Sequence, residues 1–429
     1  MKRVLLLTTA TGYQTRSFGE AARALGVELV FGLDRCRGLE DPWGDHSLVV
    51  RYYDDDRSLA AIVSAAAEGP ISGVVALGDQ PTVLAARAAE SLGLGFHPPD
   101  AARASRNKLE SRRRLAAAGL PVPSFVCVDA DAAPWSIAAH VPFPCVVKPL
   151  ALSGSRGVMR ANDQAEFARA FVRLRHILDG PDVWTLKDPA HRQVLIEGFV
   201  PGPEFALEGL MERGRLHTLA VFEKPDPLDG PFFEESIYVT PPRIPDDEGR
   251  RIVDGVAAAA AALGLRHGPI HAECRVNDAG VFVLEVAARP IGGLCARGLR
   301  FSRGGGATIA FEELLLRCAT GEAVEGWARE ACASGVMMIP IPRAGVYRGV
   351  DGIADATAVD GIGEVLITAV PDQHLVPLPE GASYLGFIFA RAGSSDEVVG
   401  ALRAAHAALR FRIDRELPLA SPYLRFGGV

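Results

Sequence analysis

Two glutamates within Ile270 to Gly293, IHAECRVNDAGVFVLEVAARPIGG, stand where a cation is needed. Ala272, Cys274 and Val276 alternate with His271, Glu273, Arg275 and Asn277, and Phe282, Leu284 and Val286 resume the two-residue rhythm after Asp278-Ala279-Gly280. This predicts a β-hairpin with one apolar and one polar face. With a three-residue loop and Gly280 in the left-handed conformation, Asn277 pairs with Val281 and Glu273 falls opposite Glu285. Like charges directly opposite repel. A magnesium ion is the economical remedy, because hard cations take carboxylate oxygens and bridge them to phosphates. The plainer reading is a solvated sheet face neutralised by Arg275 and Arg289.

A second stretch, Phe143 to Val158, reads FPCVVKPLALSGSRGV. A buried strand ends at Lys148 and Pro149, and a loop of Ser153, Gly154, Ser155, Arg156 and Gly157 turns into a return strand. Small residues let backbone N–H groups approach phosphate oxygens, and Lys148 and Arg156 add positive charge, so the loop suits a phosphate lid. An ordinary hairpin loop with a lysine at a strand end is the alternative. In Gln193 to Glu204, QVLIEGFVPGPE, a strand runs into an extended Phe199-Val200 segment that offers main-chain groups to a base edge. Glu204 there could accept from ribose hydroxyls or be a simple turn carboxylate.

The elements that must position these residues begin with a β-α-β series. Strands are expected at 3–9, Glu28 to Phe31 and Gly73 to Ala76, and helices at Ser17 to Leu25, Leu59 to Ala67 and Pro81 to Leu92. That order predicts a small doubly wound domain, and it lacks the GxGxxG dinucleotide fingerprint. One basic helix follows, from Pro98 to about Ala118, with Arg103, Arg106, Arg112, Arg113 and Arg114 expected mostly on a solvated face. Short strands and a helix over Gln164 to Leu178 suggest a separate α+β unit. Strands at Glu204 to Met211 and Leu216 to Glu223, an alanine-rich helix from Pro245 to Leu263 and the hairpin come next. A last unit starts near Gly335 and ends in a helix from Ser395 to Leu409.

The 429 residues are 48% hydrophobic and 23% charged, enough for two to four compact units. A net charge of -7 disfavours a nucleic-acid or anionic-membrane partner. Seven cysteines, at 36, 127, 145, 274, 295, 318 and 332, show no CxxC or zinc spacing and read as thiols of a reducing compartment. The apolar run after Met1 is too short for a signal peptide, and no stretch approaches a membrane span. A cytoplasmic protein is expected.

Taken in order, Arg106-Asn107-Lys108, the AGLPVP run to Pro123, the VVKP and SGSRGV pair, IEGFVPGPE, HAE and LEVAARPIGG resemble the ATP-grasp superfamily over roughly Pro98 to Ala310. The resemblance implies an α/β and α+β protein. An N-terminal doubly wound parallel-sheet domain (1–100) would precede an ATP-grasp domain (101–334) with a small lid subdomain at about 121–200, and a C-terminal mixed-sheet domain would take 335–429. It implies ATP and Mg2+ as cofactors, with Mn2+ as a substitute. Lys108, Lys148, Ser153, Ser155, Arg156 and Gly157 would contact phosphates. Glu197, Phe199 and Val200 would line the adenine, and Glu204 would hold the ribose. Glu273 and Glu285 would bind metal, while Arg289, with Lys148, would stabilise the transferring phosphate. The usual Glu-x-Asn-x-Arg ending has Ala287 at the Asn position here, which leaves a second metal one ligand short.

Within the superfamily the chain looks most like the L-amino-acid ligases, which form dipeptides. Phe232 to Pro241 is similar to their amino-acid pocket, with Glu235 and Tyr238 meeting the substrate amine beside Arg289, Gly292 and Gly293, and Gly361 to Ala390 is similar to their last domain. By analogy a homodimer is expected, acting on small-molecule amino acids. Three other readings stay open: a bicarbonate-activating carboxylase of the same fold, a non-catalytic nucleotide sensor, and a nucleic-acid binder using the basic helix. His271 is read as a packed or solvated histidine rather than a catalytic one.

Overall fold

Val4, Leu5, Leu6 and Leu7 are fully buried, so β1 (Arg3–Thr8) is covered on both faces, as a parallel central strand must be. It lies between β2 (Glu28–Leu33) and β4 (Gly73–Leu77), and β3 (Ser47–Val49) extends the sheet beyond β2. Helices α1 (Thr15–Leu25), α2 (Asp55–Glu68) and α3 (Thr82–Ser91) complete the doubly wound unit. The computed structural model describes residues 1–9, 14–34 and 47–415, so Cys36 lies outside the described residues.

The basic helix is two helices. Asn107 leaves the helical conformation, and its side chain caps α5 (Lys108–Ala117) by accepting from the Leu109 and Glu110 amides, after α4 (Pro99–Arg106) has ended. Leu109, Arg112 and Leu115 share the face that α5 buries, so Arg112, expected in solvent, is 1% exposed. Arg103 and Arg113 do face solvent.

A four-stranded antiparallel sheet forms the next unit, with β5 (Phe125–Asp129), β6 (Cys145–Pro149), β7 (Met159–Ala161) and β8 (Gln193–Gly198) in the order β5-β8-β6-β7. Helix Gln164–Leu178 covers one face through Phe167, Phe171 and Leu174.

The frame of the site is an eight-stranded antiparallel sheet. It joins β9 (Glu204–Glu212), β10 (Arg215–Lys224), β11 (Ile237–Thr240), β12 (Gly268–Asn277) and β13 (Gly280–Ala287) to strands Ala333–Ile339, Gly386–Ala392 and Ile362–Ile367. The expected boundary at 335 falls inside one of its strands, and the sheet runs on across it. Helix Asp246–Leu263 packs on the face carrying Phe205, Leu207, Cys274 and Val286. The opposite face carries the site.

The hairpin differs from expectation in two compensating ways. Its turn holds two residues, so Asn277 pairs with Gly280, and a bulge at Leu284 then shifts the register so that Glu273 does fall opposite Glu285. Val281, Val283 and Val286 therefore serve the core, while Phe282 and Leu284, assigned above to the apolar face, are half-buried outside it.

Candidate active site

Alternation along β9 sends Glu204, Ala206 and Glu208 to one face, and the strand pairings set them in rows across the sheet. Lys224, Glu204 and Arg275 form one row, Ala206, Glu273 and Glu285 the next, and Glu208 and His271 the third. Every charged member has a partner, as burial demands. Lys224 Nζ lies 2.7 Å from Glu204, 2.6 Å from Glu235 and 3.2 Å from Glu273. Arg275 holds the other Glu204 oxygen at 2.8 Å, and His271 joins Glu208 at 2.5 Å to Glu273 at 3.3 Å. Tyr238, only 2% exposed, donates to Glu235 at 2.7 Å.

These contacts set the charge states. Burial opposes the charge on Glu273, but Lys224 and His271 outweigh it and hold the carboxyl well below its usual range. Burial likewise works against a charged His271, yet Glu208 and Glu273 raise it to about 9. Glu235 goes the other way: burial, then repulsion from Glu273, lifts it to about 7 against the pull of Lys224.

The row of carboxylates is one wall of a cavity of about 340 Å³. Lys108, at the start of α5, contributes an ammonium 3.2 Å from Glu285 and 2.9 Å from the Leu152 carbonyl. Lys148, on β6, reaches Glu197 at 2.5 Å; burial and neighbouring Arg112 push its pKa down while Glu197 opposes them. Arg112 closes this group, 2.6 Å from Glu197 and 2.8 Å from each of the Val283 and Leu284 carbonyls. Ser153 and Ser155, Gly198 and Val200, and Arg289, Gly292 and Gly293 line the same cavity, with Ser383, Tyr384 and Phe387 arriving from the C-terminal region. Gly154, Ser155 and Gly157 all have positive φ (64°, 55° and 74°), a conformation that glycine adopts without strain.

Family models match this architecture along the chain: an ATP-grasp N-terminal domain over 19–96, an ATP-grasp domain over 141–297 and an L-amino acid ligase C-terminal domain 2 over 337–414. The chain belongs to the ATP-grasp superfamily. The crystal structure of an L-amino acid ligase from Bacillus licheniformis superposes on this ATP-grasp chain with a TM-score of 0.78 at 25% identity, covering 97% of it and 99% of that chain. An uncharacterized protein, y4rH of Sinorhizobium fredii, is 27% identical over 401 residues, 92% of this chain and 80% of that one. Dapdiamide A synthase of Enterobacter agglomerans is 26% identical over 193 residues, only 44% of this chain and 43% of the synthase.

Three residues carried over from the ATP-grasp pattern stand outside the cavity wall. Arg156 turns away to Asp182 at 2.5 Å and to the Glu380 carbonyl at 2.8 Å. The Gly157 amide is taken by the Pro379 carbonyl at 2.9 Å. Phe199 stacks on Phe233, with the Arg160 guanidinium over its ring. Glu197 reaches the cavity with its side chain fully committed to Arg112 and Lys148, leaving Gly198 and Val200 to offer main chain. Both Glu204 oxygens are engaged, though a carboxylate retains lone pairs for further donors.

Glu273 and Glu285 offer hard oxygen donors to one cavity, which fits a magnesium ion. The three-carboxylate group found among the described residues is a different set, however: Glu204, Glu235 and Glu273 have ligand atoms within 4.8 Å of one another, with the Lys224 ammonium among them. The repulsion that argued for a metal is thus already met by Lys224, Lys108 and protonated His271. Ala287, at the usual Asn position, stands buried opposite His271. Sequence reading missed Lys224, Glu208, Arg112 and Asp79. The signal for Glu208 was a glutamate four residues from Glu204 inside the apolar strand EFALEGLME, which puts both on one face.

Proposed function

We propose that the chain is an ATP-dependent carboxylate–amine ligase. It activates the carboxylate of an amino acid or related acid as an acyl phosphate and couples it to an amine, giving an amide or dipeptide, ADP and phosphate. The observation that carries this reading is the convergence of Lys108, Lys148, Glu273, Glu285 and Arg289 with Glu235 and Tyr238 around one cavity. ATP supplies the phosphoryl group there, and magnesium, or manganese in its place, supplies Lewis acidity through Glu273 and Glu285. Lys108, Lys148, Ser153 and Ser155 hold phosphate oxygens, Gly198 and Val200 meet the base edge, and Glu204 accepts from the ribose. Arg289 neutralises charge on the transferred group and on the anionic intermediate. Glu235 and Tyr238 receive the substrate ammonium, and the Gly292-Gly293 backbone lies against the substrate beside Arg289. The loop at 153–157 keeps water from the acyl phosphate. The protein is proposed to work in the cytoplasm as a homodimer on small molecules, in the three-part division 1–100, 101–334 and 335–429.

The test is phosphate release from ATP and magnesium with each amino acid, singly and in pairs, with products read by mass spectrometry. A pair that yields a mass equal to both minus water is expected, and Glu273→Gln or Glu285→Gln should abolish it. Turnover that needs bicarbonate instead would assign a carboxylase, and biological activity retained in full by Glu285→Gln would assign a sensor.

A further inference from the structure

Asp79 belongs to none of the motifs above. It follows β4 in the N-terminal unit, where Gly78 (φ 85°) turns the chain, and its carbonyl accepts from the Thr82 amide and hydroxyl at 3.2 and 2.7 Å as α3 begins. Its backbone is therefore fixed. Its carboxylate reaches the cavity and takes Arg289 along one edge, with Nε at 2.7 Å and Nη2 at 3.1 Å, while Arg289 Nη1 donates to the Pro290 carbonyl at 2.9 Å. The guanidinium has five N–H donors in a fixed fork. Among the described residues three are engaged, which leaves one on each terminal nitrogen.

A second contact comes from the same unit. Gln14 Nε2, buried, donates to the Ile291 carbonyl at 2.8 Å, while the Ile291 amide is held by Glu208 at 3.1 Å. The Arg289–Ile291 segment is thus held by the N-terminal unit through Asp79 and Gln14, and by the central sheet through Glu208. Arg289 is 8% exposed, so the position of its two unspent donors depends on these partners. Burial opposes the charge on Asp79, but Arg289, Lys108 and Arg106 together hold the carboxyl below its usual range, which keeps the two-pronged acceptor intact at neutral pH.

We propose that Asp79 is the positioning residue for Arg289: by occupying the Nε–Nη2 edge it orients the guanidinium so that its two remaining donors meet the oxyanion of the reacting group. This rests on the reading of Arg289 as the residue that faces the transferred phosphoryl. The N-terminal unit thereby completes the catalytic site.

The experiment is a double-mutant cycle on the full chain, with the initial rates of amino-acid-dependent ADP formation as readout. Asp79→Asn keeps the shape but replaces one acceptor oxygen by a donor. It should lower kcat about tenfold to a hundredfold, the range for a lost charged hydrogen bond, and change the KM for ATP less than about twofold. In an Arg289→Lys background the same change should cost less than about twofold, because a lysine has no fork to orient. Asp79→Glu, which keeps both acceptors, should recover about fivefold or more over Asp79→Asn, and this comparison decides the matter if Asp79→Asn also lowers the melting temperature. Normal kcat in Asp79→Asn with a crippled Arg289→Lys would overturn the proposal and leave the Arg289 reading standing. So would an equal loss from Asp79→Asn in both backgrounds, or no recovery with Glu. Normal turnover in Arg289→Lys and Asp79→Asn alike would instead remove the Arg289 reading itself.

Discussion

Replacing Arg112 by Met tests how the Lys148–Glu197 side of the cavity is held. The side chain is 1% exposed and joins α5 to β8 and β13 through Glu197 and the Val283 and Leu284 carbonyls. Methionine fills similar space but leaves both carbonyls without this donor and Glu197 with Lys148 alone. Breaking a buried ion pair from one side costs ~3–5 kcal/mol. The charge state points the same way: burial opposes charge on Glu197, yet Arg112 and Lys148 together bring its pKa from 4.5 down to about 2, a shift worth ~3 kcal/mol for the two cations combined. Because the folded value is depressed, that stabilisation is fully present above 4.5 and is lost as pH falls through about 2. Urea unfolding at pH 7 should therefore show Arg112→Met destabilised by ~3 kcal/mol or more, and its deficit relative to the parent should shrink as pH falls below 4.5. A variant that unfolds at the parent's urea concentration at pH 7 would refute the argument.

Two more outcomes follow. Glu235 holds a proton up to about pH 7, so the KM for the amine-bearing substrate should fall as pH rises toward 7 and level off above it, while Glu235→Gln should raise KM and flatten the profile. Folded-state stability should move the opposite way, declining from about pH 4.5 to 7 as ionisation of the buried carboxyl grows costly, and Glu235→Gln should abolish that decline in melting scans. Arg173 grips Glu380 at 2.5 and 2.8 Å, next to the Pro379 carbonyl that holds Gly157, so Glu380→Ala should loosen the loop at 153–157. Since exposed pairs are worth ~0.2–1 kcal/mol, phosphate released without amide should rise by up to about fivefold; a ratio matching the parent would exclude the latch.

Local patterns were legible and long-range pairings were not. Helix Gln164–Leu178 lies where the sequence places it, because what fixes it is local: Phe167, Phe171 and Leu174 recur on one face, and the Asp163 side chain accepts from the Glu166 amide at its start. The opposition of Glu273 and Glu285 was also readable, but for an incomplete reason: a turn one residue shorter and a bulge at Leu284 cancel, and alternation alone cannot distinguish the two registers. Arg112 looked like surface because charge patterning does not reveal that Glu197, 85 residues away, will meet it. Lys224 and Asp79 carry no motif; only the pairing of β10 with β9 and the approach of the N-terminal unit bring them to the cavity.

The eight-stranded sheet has a consequence for biogenesis. Strand β11, which ends at Thr240, pairs with Ala333–Ile339, and that strand in turn pairs with Gly386–Ala392. While the ribosome is still adding the intervening residues, β11 presents bare backbone donors and acceptors, an edge on which other nascent chains can add. The wall that carries Glu235 and Tyr238 therefore cannot close until Ala333–Ile339 has emerged, and a chain cut short of that strand leaves the β11 edge bare and prone to aggregation.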